Sequence, residues 1–169
     1  TGFSLHMRIP GWSEVLDVAV NGSAVEYTIK KGYLCIRRCW KAGDQVALKL
    51  ALPVRVMEAN PQARYQAGKV ALMRGPIVYC FEEADNGKNL QNIAICPSTN
   101  IREHFDSSFM SGAVLLELDG TRRAMNGWLG TLYRTCRSER VPIRLTAIPY
   151  AMWGNRGFGE MTVWVNEMK

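Results

Sequence analysis

Groups able to act as nucleophile, base or metal ligand are few in this 169-residue chain, and their spacing is uninformative at first sight. A Ser-His-Asp hydrolase needs a nucleophile beside an oriented base. Of the two histidines, His6 falls on the polar face of a strand and His104 lies in "REHFD" with no nucleophile motif nearby. There is no G-x-S-x-G elbow. Both histidines read as surface or structural groups. Cys35 and Cys39 share a face, but four residues along a strand set them roughly 13 Å apart. That is too far for one zinc ion, so they read as two small side chains on an outer face. A glycosidase needs two carboxyl groups across the scissile bond. Glu82, Glu83 and Asp85 cluster in a turn-forming stretch, and Glu103, Asp106, Glu117 and Asp119 are scattered. Nothing in the sequence pairs them, and they read as a solvated surface. "GNRGFG", residues 154–159, fits neither G-x-G-x-x-G nor a P-loop, and no helix follows it. It reads as a turn. No catalytic, cofactor-binding or metal-binding residue is assigned.

Aromatic side chains offer another chemistry, because a flat ring stacks on the C–H face of a sugar. The chain has five tryptophans. Trp40 and Trp164 read as core by alternation, in keeping with the weight that large aromatics carry in core energetics. Trp12, Trp128 and Trp153 sit at turns. They are the candidates for contact with a glycan or with a neighbouring domain.

The elements that must position these groups are strands. Phe3, Leu5, Met7 and Ile9 alternate with Ser4, His6 and Arg8, the period of a half-buried strand that closes at "RIPGW". Asp17–Val20 leads to Asn21-Gly22, the strongest short hairpin signal, since both turn residues must tolerate positive φ. The return strand carries Val25, Tyr27 and Ile29 on one face, and Lys31-Gly32 turns the chain again. "YLCIRRCW" puts Leu34, Ile36, Arg38 and Trp40 on one face, with Tyr33, Cys35, Arg37 and Cys39 on the other. Val46 to Leu52 alternates until Pro53, which ends the strand or places it at an edge.

A strand over Lys69–Met73 is interrupted by "RGP", and a domain junction is placed near Gly75. Ile77–Phe81 is a continuous apolar run, so both of its faces are expected to be covered. Shorter strands follow at Ile93–Ile95 and Ala113–Leu118, then a loop over 126–135, then two strands around the Gly-rich turn. Turn signals every 8–12 residues or so predict a β-sandwich or barrel.

Composition narrows the classes. The net charge is +6, but the basic residues are scattered, the densest runs being Lys30-Lys31, Arg37-Arg38 and Arg122-Arg123. Without a recognition motif this is a solvated basic surface, not a nucleic-acid interface. No apolar run approaches the ~20 residues of a membrane span, so no membrane partner is expected. An odd, sparse set of five cysteines argues against a disulfide framework and favours a reducing compartment such as the cytoplasm.

Three stretches, taken together, carry a resemblance: "RIPGW" (8–12), "GKVALMRGPIVYC" (68–80) and "LTAIPYAMWGNRGFGEMTVW" (145–164). "GYLCIRRCWKAGD" (32–44), with Asn21-Gly22 before it, fits between them. The chain resembles the C-terminal region of the β-L-arabinofuranosidase family, glycoside hydrolase family 127 and its relatives. Residues 93–140 match only loosely. Phe158 stands where a proline is common in the last turn, which affects only the turn.

The resemblance implies an all-β chain of two jelly-roll-like β-sandwich domains, the second inserted in the first. It suggests 1–75 plus 141–169 for one and 76–140 for the other. It also implies that this is a C-terminal piece of a longer enzyme. The upstream (α/α)6 barrel of that enzyme would hold the chemistry, a cysteine nucleophile on a zinc ion bound by Glu and Cys together with an acid/base carboxyl. None of those residues maps onto a position here, and zinc is expected in that barrel alone.

Three readings follow. The first is a non-catalytic accessory region whose partner is the barrel of the same chain. The second is a carbohydrate-binding module for arabinose-rich glycans, and the third is a free-standing interaction domain. The first sandwich would lack strands from upstream. An edge would then be left open, and some self-association is expected.

Overall fold

The computed structural model describes residues 1–128, 130–136 and 139–168. It is mostly β-strand, and the strands fall into two compact units, Thr1–Pro53 and Val54–Lys169.

The first unit holds β1 (Gly2–Arg8), β2 (Val15–Val20), β3 (Ser23–Ala24), β4 (Thr28–Lys30), β5 (Tyr33–Cys39) and β6 (Val46–Leu50). They form two three-stranded antiparallel sheets, ordered β1-β5-β4 and β3-β2-β6. Two tight turns set the register. Asn21 and Gly22 have φ of 53° and 77°, and Lys31 and Gly32 have 52° and 77°. Positive φ at both central residues is what a type I′ hairpin demands.

The return strand after Gly22 does not stay with its partner. Ser23–Ala24 pairs with β2, whereas Thr28–Lys30 pairs with β5 in the other sheet. The crossing between them stitches the sheets into a small sandwich. Val18 and Val20 of one sheet and Leu34 and Ile36 of the other share one buried cluster, with Met7, Val46 and Leu48 packed around it. The period-2 reading of β5 therefore holds, with Leu34 and Ile36 inside. β1 pairs with β5 along its whole length and lies at the edge of its sheet.

The second unit contains β7 (Val54–Glu58), β8 (Lys69–Arg74), β9 (Ile77–Glu82), the single turn α1 (Glu83–Asn86), β10 (Ile93–Ile95), β11 (Ile101–Asp106), β12 (Ala113–Arg123), β13 (Arg140–Pro149), β14 (Met161–Thr162) and β15 (Val165–Glu167). β9, β13, β12, β10, β15 and β8 are hydrogen-bonded in that order, and β8 pairs back to β9, which closes a ring of six strands. Alternate residues of those six strands fill the interior: Val70, Leu72, Tyr79, Phe81, Ile93, Ile95, Leu116, Leu118, Leu145, Ala147 and Val165. Each fully buried aliphatic or aromatic side chain stabilises by roughly 1.5–3 kcal/mol, so this interior dominates the unit.

The closure has an unusual seam. The β8–β9 hairpin is paired only next to its turn, at Met73↔Val78 and Arg74↔Ile77. Beyond that point the two strands part and the end of the chain enters the gap. Met161 and Thr162 pair with Glu82 and Phe81, while Val165 and Asn166 pair with Val70 and Lys69. β15 then continues the ring by parallel pairing with β10, Ala94↔Asn166 and Ile95↔Glu167.

Both faces of β9 are covered, as its apolar run implies. Tyr79 and Phe81 face the ring interior. Cys80 faces a second cluster with Phe109, Ala113, Leu115 and Ile148. The described residues of the 126–135 stretch form turns and bends, with Gly127 and Gly130 at positive φ.

Gly75, taken as a junction, is a hairpin turn with φ of 54°. By its contacts the chain divides at Pro53 into the two units. Residues of the 141–169 stretch pair with β8, β9, β10 and β12. A Gly-Pro breaker reads alike as a turn or as a junction, and only the pairing beyond it distinguishes them. The second unit is closed as a ring.

Candidate functional site

A cavity of about 320 Å³ opens where β9 ends, lined by Glu82, Glu83, Trp153, Arg156, Phe158 and Glu160 among others. Glu82 is the buried charged residue of the described core, at 6% exposure. The strand alternation places it there. It follows Cys80 on the outer face of a strand whose two faces are both covered, so the carboxylate enters a region already closed to water.

That carboxylate is fully engaged. Its Oε1 accepts the Gly154 N–H at 2.7 Å, and Oε2 is ion-paired with Arg156. Arg156 also grips Asp85, donating from Nη1 to Oδ1 at 2.8 Å and from Nη2 to Oδ2. Its guanidinium lies 4.7 Å over the Phe109 ring. The Asp85 and Glu82 hydrogen bonds hold the arginine cationic, raising its already high pKa further against the opposing effect of burial. Arg156 is therefore the keystone of the loop between β13 and β14.

The same loop is tied down at its far end. Glu83 N–H donates to the Glu160 carbonyl at 2.9 Å, and Glu160 N–H donates to Glu83 Oε2 at 3.0 Å. Glu160 Oε2 accepts the Leu90 N–H and Oε1 the Asn89 N–H. Those two backbone donors hold the Glu160 carboxyl below the usual glutamate range. Gly159 permits the close approach, since a Cβ there would stand 3.1 Å from Glu83 Cβ. Asn86 secures α1 to β13 by accepting the Thr146 N–H at Oδ1 and donating to the Thr146 carbonyl, both at 2.9 Å.

The acidic cluster Glu82, Glu83 and Asp85 is thus not the solvated surface expected from its composition. Glu82 is buried and bound, because Arg156, far along the chain, is folded back onto it. One signal in the sequence could have found it: a carboxylate in register with Cys80 at the end of a two-sided apolar strand. The carboxylates of the neighbouring strands are engaged too. Glu117 pairs with Arg102 and Arg144, Asp119 with Arg144, and Glu103 with Arg74. The Arg102 side chain draws the Glu117 carboxyl below its ordinary range.

The structure places the three tryptophan candidates apart in kind. Trp153 lines the cavity, is 44% exposed, and stacks on Tyr150 with ring centroids 6.4 Å apart and planes 26° from parallel. Phe158, fully exposed, stands on the same loop. Trp128 is half-buried, with the Arg134 guanidinium 4.3 Å over its ring. Trp12 is half-buried in a turn of the first unit. Of the two read as core, Trp40 packs against the first unit's buried cluster, and Trp164 is half-buried.

Sequence reasoning also missed a cross-strand pair in the first unit. His6 lies opposite Cys35 in the β1–β5 register, and its Nδ1 is 3.0 Å from Cys35 Sγ. Among the described residues, no three or more His, Cys, Asp or Glu side chains converge where a metal ion could be held. No helix of the described residues is long and apolar enough to cross a membrane.

Comparison with known proteins gives two adjoining family matches. Residues 54–166 match the glycoside hydrolase family 127 C-terminal domain. Residues 1–52 match the β-L-arabinofuranosidase middle domain of the same family. The boundary between them coincides with the division of the two units. A non-reducing end β-L-arabinofuranosidase of Bifidobacterium longum subsp. longum is 33% identical over 165 residues, which is 93% of this chain and 25% of that protein. The solved family 127 β-L-arabinofuranosidase of Geobacillus stearothermophilus T6 superposes with a TM-score of 0.89 at 45% identity. The match covers 99% of this chain and 27% of that one. A solved glycoside hydrolase matches at 37% identity and a TM-score of 0.84, over 99% of this chain and 28% of its own. The chain spans about a quarter of the length of these relatives.

Proposed function

Because the chain belongs to glycoside hydrolase family 127 and corresponds to its middle and C-terminal domains, we propose that it is a non-catalytic accessory region of a β-L-arabinofuranosidase-like enzyme. It braces a catalytic (α/α)6 barrel contributed by the rest of that enzyme. The carrying observation is how the carboxylates of its best-formed cavity are used. A glycosidase of the usual kind needs one carboxyl free to donate a proton and another free to attack or to activate water, and even a cysteine nucleophile needs a free acid/base carboxyl. Glu82 and Asp85 are instead locked by Arg156, and both Glu160 oxygens accept backbone N–H groups. These are the bonds of a scaffold. The zinc and cysteine chemistry of the family is assigned to the barrel.

The surface offered to that barrel is the loop of residues 150–158. Trp153, Tyr150 and Phe158 expose apolar area there, while Arg156 fixes the backbone beneath them. Aromatic side chains on a rigid base are what interfaces use as anchors. The edge of β1 is a second place where a strand of the same enzyme, or a second copy of this chain, would pair.

Assaying the purified chain on an aryl β-L-arabinofuranoside tests the reading. No turnover above buffer is expected, and turnover abolished by Glu82→Gln would overturn it. One observation favours a second reading, a glycan-binding module. The exposed Trp153–Tyr150 stack beside acidic groups could seat a sugar ring. A saturable change in tryptophan fluorescence on adding arabino-oligosaccharides, lost in Trp153→Ala, would favour that reading over the scaffold.

A further inference from the structure

The outer face of the β1-β5-β4 sheet carries a groove of about 730 Å³ that the scaffold reading leaves unused. Its floor is the His6–Cys35 pair. The two residues are cross-strand partners, and Thr28 of β4 lies opposite Cys35 on the other side. The imidazole Nδ1 sits 3.0 Å from the thiol sulfur. The alternative partner, the Tyr33 carbonyl, is 3.7 Å away. An imidazole in contact with a thiol can take its proton and leave the nucleophilic thiolate.

The rim is predominantly cationic. Arg37 and Lys30 line the groove with Glu26 as the opposing charge, and Ser4 and Tyr27 supply hydroxyl groups. Arg8 and Tyr33 project from the same face, as the alternation of β1 and β5 requires. A nucleophilic sulfur, a base in contact with it, and a cationic groove of this size together suit an anionic, peptide-sized reactant bearing electrophilic sulfur.

We propose that Cys35, with His6 as its base, is a site of reversible S-thiolation by an anionic low-molecular-weight disulfide. The balance is that of thiol–disulfide exchange. The Cys35 thiol proton passes to His6 Nδ1, and the thiolate attacks one sulfur of the disulfide. A new S–S bond forms at Cys35, and the old one breaks. The leaving thiolate takes up the proton from His6 or from water. Arg37 and Lys30 hold the carboxylates of the reactant during attack. The proposal is independent of the family assignment.

Oxidised glutathione is the probe, added to the purified chain, with modified peptides identified by mass spectrometry. Cys35 is expected to be thiolated severalfold faster at neutral pH than the exposed Cys39, because His6 accepts its proton during attack. His6→Asn should bring the Cys35 rate down to that of Cys39 without changing Cys39. His6 is exposed, so this is a surface substitution. Arg37→Gln should slow glutathione disulfide but not the uncharged 2-hydroxyethyl disulfide. Equal rates at Cys35 and Cys39, or an unchanged Cys35 rate in His6→Asn, would overturn the proposal. Equal effects of Arg37→Gln on both disulfides would overturn the anionic specificity.

Discussion

Replacing Arg156 with alanine should destabilise the second unit by about 3 kcal/mol, far more than an ordinary surface arginine. Removing one partner of a buried ion pair costs about 3–5 kcal/mol, because the remaining charge is left without compensation. The Arg156 side chain is 28% exposed and that of Glu82 only 8%. Water would therefore reach part of the vacated space, and the Gly154 N–H would still bind Glu82. Both considerations place the cost at the low end of that range. Loss of the Phe109 cation–π contact, about 0.5–1 kcal/mol, is included in that figure.

The assay is urea unfolding followed by tryptophan fluorescence, since Trp128, Trp153 and Trp164 all belong to this unit. With a slope of about 2 kcal/mol/M, the midpoint should fall by about 1.5 M. The control is a double-mutant cycle. Glu82→Gln keeps an acceptor for Gly154 but removes the charge, so Arg156→Ala in that background should cost only about 1 kcal/mol. The difference, a coupling of about 2 kcal/mol, isolates the orphaned carboxylate. A loss below about 1 kcal/mol for Arg156→Ala alone, or the same loss in both backgrounds, would refute the role given to this pair.

Two further perturbations probe the ring. At Gly120 a Cβ would stand 2.5 Å from Leu145 Cδ1 and 2.9 Å from the Ala94 carbonyl oxygen. Gly120→Ala should cost about 1–3 kcal/mol in the same urea experiment, the usual range for overpacking; a cost below about 0.5 kcal/mol would show that β10 and β12 separate easily. Burial pushes the Cys80 thiol up to about 12, from 9.0 in an exposed thiol. Above pH 9 the unfolded chain loses this proton while the folded chain keeps it. The contribution is therefore complete below pH 9 and is lost as pH rises toward 12, at about 1.4 kcal/mol per unit. Between pH 8 and 10.5 the unaltered chain should lose about 2 kcal/mol more stability than Cys80→Ala. Identical pH slopes for the two would show that Cys80 is not the group responsible.

Local periodicity made the strands legible. Leu34 and Ile36 are inside and Tyr33 and Arg37 outside because a pleated strand alternates. Asn21-Gly22 and Lys31-Gly32 announced their turns by backbone tolerance alone. What the sequence withheld was register between distant strands. No local pattern shows that residues 23–30 change sheets, or that Ile95 runs parallel to Glu167. The same ignorance hid two side-chain pairs. His6 and Cys35 meet only because β1 and β5 pair as they do, and Glu82 finds Arg156 only because the Gly-rich loop folds back over β9. The assumption that an acidic turn faces water failed because the strand before Glu82 was already closed on both faces. The three turn-located tryptophans were singled out by position, yet only Trp153 lines the described cavity.

The entry of residues 161–167 between β8 and β9 also sets a timetable for synthesis. The strands described for the first unit all precede those of the second. The second unit cannot close its ring until residues 161–167 have emerged, long after β8 and β9. At about 5–20 residues per second, β8 and β9 wait on the order of ten seconds for the strand that fills their gap. During that interval their parted edges are open to any passing strand, including those of nascent copies on the same message. A chaperone that shields the hairpin in that window would raise the yield of folded protein.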